Sequence, residues 1–134
     1  MDRYQYLSVG NVLALHEAIM RDTGQAPTLL RDVGLLESAV MRPQMAAHYE
    51  DADLVTQAAY LIGGIALAHP FVDGNKRTAM LAGEAFLRLN GLRYSGDAVD
   101  LARQVEDLTT APDRHETGIT RLAEWLRPHL QEAR

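Results

Sequence analysis

Leu61-Ile62-Gly63-Gly64-Ile65-Ala66-Leu67-Ala68-His69-Pro70-Phe71-Val72-Asp73-Gly74-Asn75-Lys76-Arg77 runs from the most apolar part of the chain straight into its densest group of reactive side chains. The apolar half ends a segment, Leu54–Ala68, that Asp53 can cap; being hydrophobic nearly all round, it predicts a buried helix. The Gly63-Gly64 pair is costly by helix propensity, so it implies that another backbone packs closely at that point. Pro70 ends the helix, because the residue before a proline is pushed out of the α region. After a loop over residues 69–74, a second long helix is expected from residue 75 or 76 to 90. Ala79, Leu81, Ala82, Ala85, Phe86 and Leu89 are available for burial there, and Gly91 is its left-handed terminator.

Working outward, Ser8 can cap a helix through Val9, Val12, Leu13, Leu15, His16 and Ile19, whose apolar members recur at three and four, ending at Gly24. Asp32 opens a short helix with Val33, Leu35, Leu36, Ala39 and Val40, and Pro43 stands near its expected stop; residues 44–53 read as one or two further turns or as a connection. Two more helices are expected at residues 97–108 and 116–130. Alternation with period two is confined to scraps at residues 4–7 and 92–94, so at most a small hairpin supplements the helices. With no internal repeat and no low-complexity tract, the expected class is all-α: a compact bundle of about six helices, with the reactive loop before the N-terminus of a central one.

At 134 residues, with 47% hydrophobic and 23% charged positions, residues 1–134 are expected to form one domain, since two would leave each half short of a core. A net charge of −5 argues against general nucleic-acid binding and requires any phosphate site to be local. The absence of cysteine removes disulfides, thiolate nucleophiles and zinc–thiolate sites. Met1-Asp2-Arg3-Tyr4-Gln5-Tyr6 lacks the apolar core of a signal peptide, and residues 61–68 fall far short of the ~20 needed for a membrane span, so a cytoplasmic protein without a membrane partner is expected.

The loop carries the candidate chemistry. If the second long helix starts near Gly74 or Asn75, its unpaired N–H groups and positive dipole end form an anion site, and Lys76 and Arg77 fall in its first turn. Cations there are unfavourable by ~0.3–1 kcal/mol in an isolated helix, which suggests that something negative is received. Of 13 basic residues 12 are Arg, and the single Lys lies in this motif; Lys76 offers a compact point charge and Arg77 a planar fork. Asp73 is a hard oxygen ligand of the kind that holds Mg²⁺ together with phosphate oxygens, and His69 is the candidate base. Each element alone has an ordinary reading: a surface histidine, an Asp-Gly-Asn turn, a solvated Lys-Arg pair, and Phe71 as a packing anchor. Their concentration in nine residues favours a site.

His69-Pro70-Phe71-Val72-Asp73-Gly74-Asn75-Lys76-Arg77 resembles the signature of the Fic/Doc (Fido) family, H-x-F-x-D/E-G-N-G/K-R, and Gly34-Leu35-Leu36-Glu37-Ser38-Ala39-Val40-Met41-Arg42-Pro43-Gln44 is similar to a second stretch typical of that group. The length fits the small Doc, or death-on-curing, branch, in which nearly the whole chain is one helical domain. The resemblance implies that His69 is the general base toward a hydroxyl of a target protein and that Asp73 is the Mg²⁺ ligand. It assigns Gly74 and Asn75 to the phosphate-holding turn and Arg77 to phosphate binding. Most Fic proteins have glycine at the position of Lys76 and a second arginine at that of Met80, and they transfer AMP. Both departures point to the Doc-like branch, whose members resemble kinases that use ATP to phosphorylate a Thr or Ser of a translation factor, an elongation factor being the expected target.

The resemblance thus implies a toxin with ATP as co-substrate and Mg²⁺ as cofactor. Many Fic proteins carry an inhibitory helix with the pattern S/T-x-x-x-E-G/N; the sequence has none, so inhibition is expected from a separate antitoxin. The competing readings are AMP transfer to a protein hydroxyl and a non-enzymatic helical interaction module. Elsewhere, His16, His48, His115 and His129 have no ligand spacing, Glu50, Asp51 and Asp53 read as a solvated capping stretch, and Trp125 is expected in the core with Leu122 and Leu126.

Overall fold

The computed structural model describes residues 4–25, 30–111 and 116–133. Among them are six α-helices, α1 (Val9–Asp22), α2 (Val33–Glu50), α3 (Leu54–Ala68), α4 (Asn75–Leu89), α5 (Ala98–Thr110) and α6 (Glu116–Leu126), and two short strands, β1 (Leu92–Tyr94) and β2 (Leu130–Glu132). The fold is all-α with a small sheet, as the hydrophobic periodicity predicts. His115 lies outside the described residues.

α3 is the central element, packed by α2, α4, α5 and α6, and residues 57–66 are buried without interruption. That follows from a segment apolar on every face, which is stable only when surrounded. The close approach expected at the glycine pair is real at Gly64, where a Cβ would stand 3.3 Å from the Ala39 Cα of α2. At Gly63 the neighbour is a side chain, Ile119 of α6, at 3.0 Å. Burial of Leu36, Ala39, Leu61, Ile62, Ile65, Phe86, Leu101, Val105, Ile119, Leu122 and Leu126 draws five helices into one core cluster.

Two expectations need correction. Pro43 does not stop the second helix: α2 runs through it to Glu50. An interior proline removes one hydrogen bond and crowds the preceding turn, at about 3 kcal/mol. Pro43 is itself buried, with Ala39 and Ala46 one turn to either side on the face toward α3, and burial there offsets the loss. What ends α2 is Asp51, in left-handed conformation at φ +53°.

The last helix, expected to residue 130, ends at Leu126. Pro128 lies in a 3-10 turn, Arg127–His129, and Leu130–Glu132 pairs antiparallel with Leu92–Tyr94 in the register Leu92↔Glu132, Arg93↔Gln131, Tyr94↔Leu130. The scrap of alternation at residues 92–94 is therefore a strand whose partner comes from far along the chain. Residues 4–7 form no strand; Tyr6 stacks on Phe86 at 5.7 Å and donates its hydroxyl proton to Gln57 Oε1 at 2.8 Å. Trp125 is half-buried against the core, its ring 4.6 Å from that of His129, while Leu122 and Leu126 are fully inside. No helix among the described residues is long and apolar enough to cross a membrane.

Candidate active site

Residues 69–74 link the C-terminus of α3 to the N-terminus of α4, and most of their backbone polar groups are hydrogen-bonded. His69 closes α3 in left-handed conformation, φ +53°, with its N–H on the Ile65 carbonyl at 3.2 Å. Arg31 braces this end from across the chain: its Nε donates to the His69 carbonyl at 2.8 Å and its Nη2 to the Ala68 carbonyl at 2.9 Å. The backbone N–H groups of Arg31 and Asp32 both donate to the Pro70 carbonyl, at 2.7 and 3.2 Å, and Leu30 forms an antiparallel bridge with Phe71. Helix carbonyls left without partners are thereby satisfied by a cation, the favourable sign at that end of a dipole.

The middle of the loop hangs on Phe71, 1% exposed, as expected for a packing anchor. Asn75 grips it with both ends of its amide, accepting from the Phe71 N–H at 2.9 Å and donating to the Phe71 carbonyl at 2.8 Å. His16 of α1 lies flat on the Phe71 ring, centroids 3.8 Å apart and planes 5° from parallel, and its Nε2 is 2.9 Å from the Asp73 carbonyl oxygen. Asp73 Oδ1 accepts from the Gly74 N–H at 2.8 Å. Gly74 then enters the helix at φ +81°, a left-handed value, where a Cβ would also meet Met20 Sδ at 3.2 Å.

Two side chains of the motif remain uncommitted. The His69 imidazole is exposed and makes no hydrogen bond among the described residues, and the same holds for the Arg77 guanidinium. α1, α2, α3 and α5 are each capped by a side chain, Ser8, Asp32, Asp53 and Asp97; α4 has no side-chain cap and no acid in its first turn. The N–H groups of Asn75, Lys76 and Arg77 have no acceptor among the described residues, and the first α4 bond is from Thr78 N–H to the Gly74 carbonyl at 2.9 Å. Three free N–H groups at the positive dipole end are what an anion of phosphate size can bind to, and the exposed Arg77 belongs to the same first turn.

Two members of the motif are occupied differently from the sequence reading. The Asn75 amide is spent on Phe71, so its own offer to an anion is the backbone N–H. The Lys76 ammonium pairs with Glu106 of α5, both side chains about half exposed. Outside the loop, the acidic stretch before α3 is structural, as expected. Glu50 accepts from the Tyr60 hydroxyl at 2.7 Å, and Asp53 caps α3 while pairing with Arg127 at 2.8 Å, whose hydrogen bonds hold the Asp53 carboxyl at about 2, below its usual 3.8. No group of three or more His, Asp or Glu side chains gathers around one point among the described residues.

Sequence reading missed His16 and Arg31. A signal existed for His16, since it occupies the inward stripe of α1 with Val12, Ile19 and Met20, where a polar ring must find a partner. Arg31 carried none, being one arginine among twelve.

The family model described as Fic/DOC matches residues 6–87, more than half of the chain and all of the loop and its supports. A Mycolicibacterium smegmatis protein named "Toxin Doc" is 43% identical over 83 residues, which cover 57% of this chain and 64% of that protein, so the chain spans a little less than two thirds of its length. "Protein kinase doc" of Escherichia phage P1 is 33% identical over 124 residues, 92% of this chain and 94% of the phage protein. Glu106, the partner of Lys76, lies outside the family match.

Proposed function

Because the chain belongs to the Fic/Doc family, on its Doc-like branch, we propose that it is a cytoplasmic Doc-type toxin that transfers the γ-phosphoryl group of ATP to a Ser or Thr hydroxyl of a protein, a translation elongation factor being the expected target. The observation that carries this reading is a hydrogen-bonded loop that leaves a free imidazole at one end and an uncapped, cationic helix N-terminus at the other. In the transfer, the acceptor oxygen attacks the γ-phosphorus, the bond from that phosphorus to the bridging oxygen breaks, ADP leaves, and His69 takes the hydroxyl proton. Such chemistry asks a protein mainly for positioning and charge stabilisation. Free N–H groups of Asn75, Lys76 and Arg77 with the Arg77 guanidinium would hold the phosphates. Lys76 can join them by leaving Glu106, since exchanging a half-exposed pair costs about 0–1 kcal/mol.

Mg²⁺ fits this site. The exposed Asp73 carboxylate keeps Oδ2 free of partners among the described residues, and a single carboxylate beside a phosphate-binding turn is the donor set that Mg²⁺ accepts, with phosphate and water completing it. Asp73 would hold the ion, which when bound neutralises charge on the phosphates.

Phosphoryl rather than AMP transfer is supported by Lys76 and by Met80, half-buried against the core, which supplies no second guanidinium farther along α4. The firmest anion contacts lie at the first turn, and the phosphate held there is the one transferred. Absence of an inhibitory pattern in these residues supports a separate antitoxin. The test is ATP labelled separately at the α and γ positions, incubated with the protein and a cell extract. Label from the γ position should reach protein; label from the α position would establish AMP transfer instead. Absence of any Mg-ATP binding by calorimetry would leave a helical interaction module.

A further inference from the structure

We propose that His16 is a positioning residue for the anion-binding turn: its Nε2–H, donated to the Asp73 carbonyl, fixes the peptide from which the Asp73 carboxylate and the start of α4 are presented. The geometry stands alone; the kinetic consequence rests on the transfer activity proposed above. His16 is one of three buried polar residues among those described, 3% exposed, and it lies on α1, far in sequence from the loop. The Asp73 oxygen has no proton, so Nε2 must carry one. The ring does two things at once. Its face covers Phe71 at 3.8 Å, and its edge holds a backbone carbonyl at 2.9 Å.

The carbonyl of Asp73 and the N–H of Gly74 belong to one peptide plane. His16 holds its oxygen, and Asp73 Oδ1 holds its hydrogen at 2.8 Å. A peptide that precedes glycine rotates at little steric cost, so this plane needs a grip at both ends to stay in one orientation. The Gly74 Cα rests on the same floor, because a Cβ there would lie 3.4 Å from His16 Cδ2 and 3.2 Å from Met20 Sδ. Rotation of the plane would release Oδ1 and swing the carboxylate. It would also re-aim the first N–H groups of α4, the ones left free for an anion.

Phenylalanine at position 16 keeps the face and loses the edge, whereas glutamine keeps a donor and loses the flat contact. The experiment therefore compares the full-length wild type with His16→Phe and His16→Gln by three measurements: ¹⁵N spectra of the His16 imidazole and the Gly74 amide, melting temperature, and the Mg²⁺ dependence of phosphoryl transfer. We expect a protonated Nε2 in the wild type and a displaced Gly74 amide resonance in His16→Phe. The half-saturating Mg²⁺ concentration of that variant should rise about tenfold or more, with a smaller fall in kcat at saturating metal. His16→Gln should recover much of the Mg²⁺ dependence even if it melts lower, which a purely structural role would not produce. An Nε2 without hydrogen, or a His16→Phe protein with unmoved Gly74 resonance and unchanged Mg²⁺ dependence, would overturn the inference. A wild type that transfers nothing from Mg-ATP would sink the activity proposed above, and the imidazole and Gly74 spectra would still decide the role of His16.

Discussion

Replacing Arg31 by alanine tests whether the loop holds His69 in place or His69 holds itself. The guanidinium makes two charge-assisted hydrogen bonds, to the carbonyls of Ala68 and His69 at 2.9 and 2.8 Å, and the residue is exposed. Buried bonds of this kind contribute ~1.5–3 kcal/mol each; discounted for solvent, the pair is worth about 1–2 kcal/mol. In a chain of 134 residues that corresponds to a fall in Tm of about 3–8 °C. The catalytic consequence should be larger. His69 stands at φ +53°, which costs a non-glycine residue about 1 kcal/mol and persists only while its surroundings impose it. With the guanidinium gone, relaxation of this residue moves the imidazole from the acceptor hydroxyl, and misplacement by about 1 Å costs ~10²-fold in rate. Arg31→Lys should recover little, since a point charge does not span two carbonyls as a fork does. Scanning calorimetry with γ-labelled ATP transfer, each on both variants, is the assay. Wild-type transfer by an Arg31→Ala protein would refute the bracing role, and so would a rate loss no larger than its loss of folded fraction explains.

His69→Ala should abolish transfer, by ~10²–10⁴-fold, at unchanged Tm, because the imidazole is the proposed base and is too exposed to add packing; retained transfer would place the base elsewhere. Glu106→Gln should free the Lys76 ammonium and tighten Mg-ATP binding by about two- to fivefold in calorimetry, and unchanged or weaker binding would mean that Lys76 takes no phosphate. The Asp53 carboxyl, held at about 2 by Arg127 against an ordinary 3.8, contributes stability that is present above the ordinary value and lost as pH falls through the folded one. Melting curves should therefore show the wild type losing more stability than Asp53→Asn between about pH 4 and pH 2, with the two converging at the acid end; parallel losses would count against the pair.

The fold was legible where side-chain pattern and terminator agree. Ser8, Asp32 and Asp53 each begin a helix where sequence places a cap, because an oxygen at that position satisfies an orphan N–H wherever the helix later packs. Pro43 and the end of α6 were misread for opposite reasons. A proline breaks a helix by local sterics, and at Pro43 tertiary burial outweighs that cost. At Pro128 no such burial exists and the local rule holds, so the chain leaves the helix and closes a strand pair with residues 92–94. No pattern in the last residues announces that pairing, since three residues are too few to show alternation.

The candidate groups of the site stand together in the sequence while the residues that brace their loop do not, and the reason is geometric. The proposed transfer asks a base, an acid and cations to converge on one small anion, and one short loop entering a helix is the shortest way for a chain to bring them together, so such groups appear as neighbours in sequence. Their supports have the opposite requirement. A loop cannot hold itself rigid, and its carbonyls need donors from elements already fixed elsewhere: Arg31 and Asp32 ahead of α2, His16 on α1. Those residues sit as far as 57 positions from their partners and belong to common types. Asn75 spans the two roles. Its place in the motif suggests a phosphate ligand, yet its amide is committed at both ends to Phe71, so the side chain shapes the turn and the backbone N–H is what it offers. The same division explains Lys76 and Arg77, adjacent in sequence and unlike in state. Arg77 is exposed with no partner among the described residues, while Lys76 is held by a glutamate that lies beyond the family match. The Arg77 guanidinium is thus uncommitted, and Lys76 sits in a half-exposed pair that opens at a cost of only about 0–1 kcal/mol.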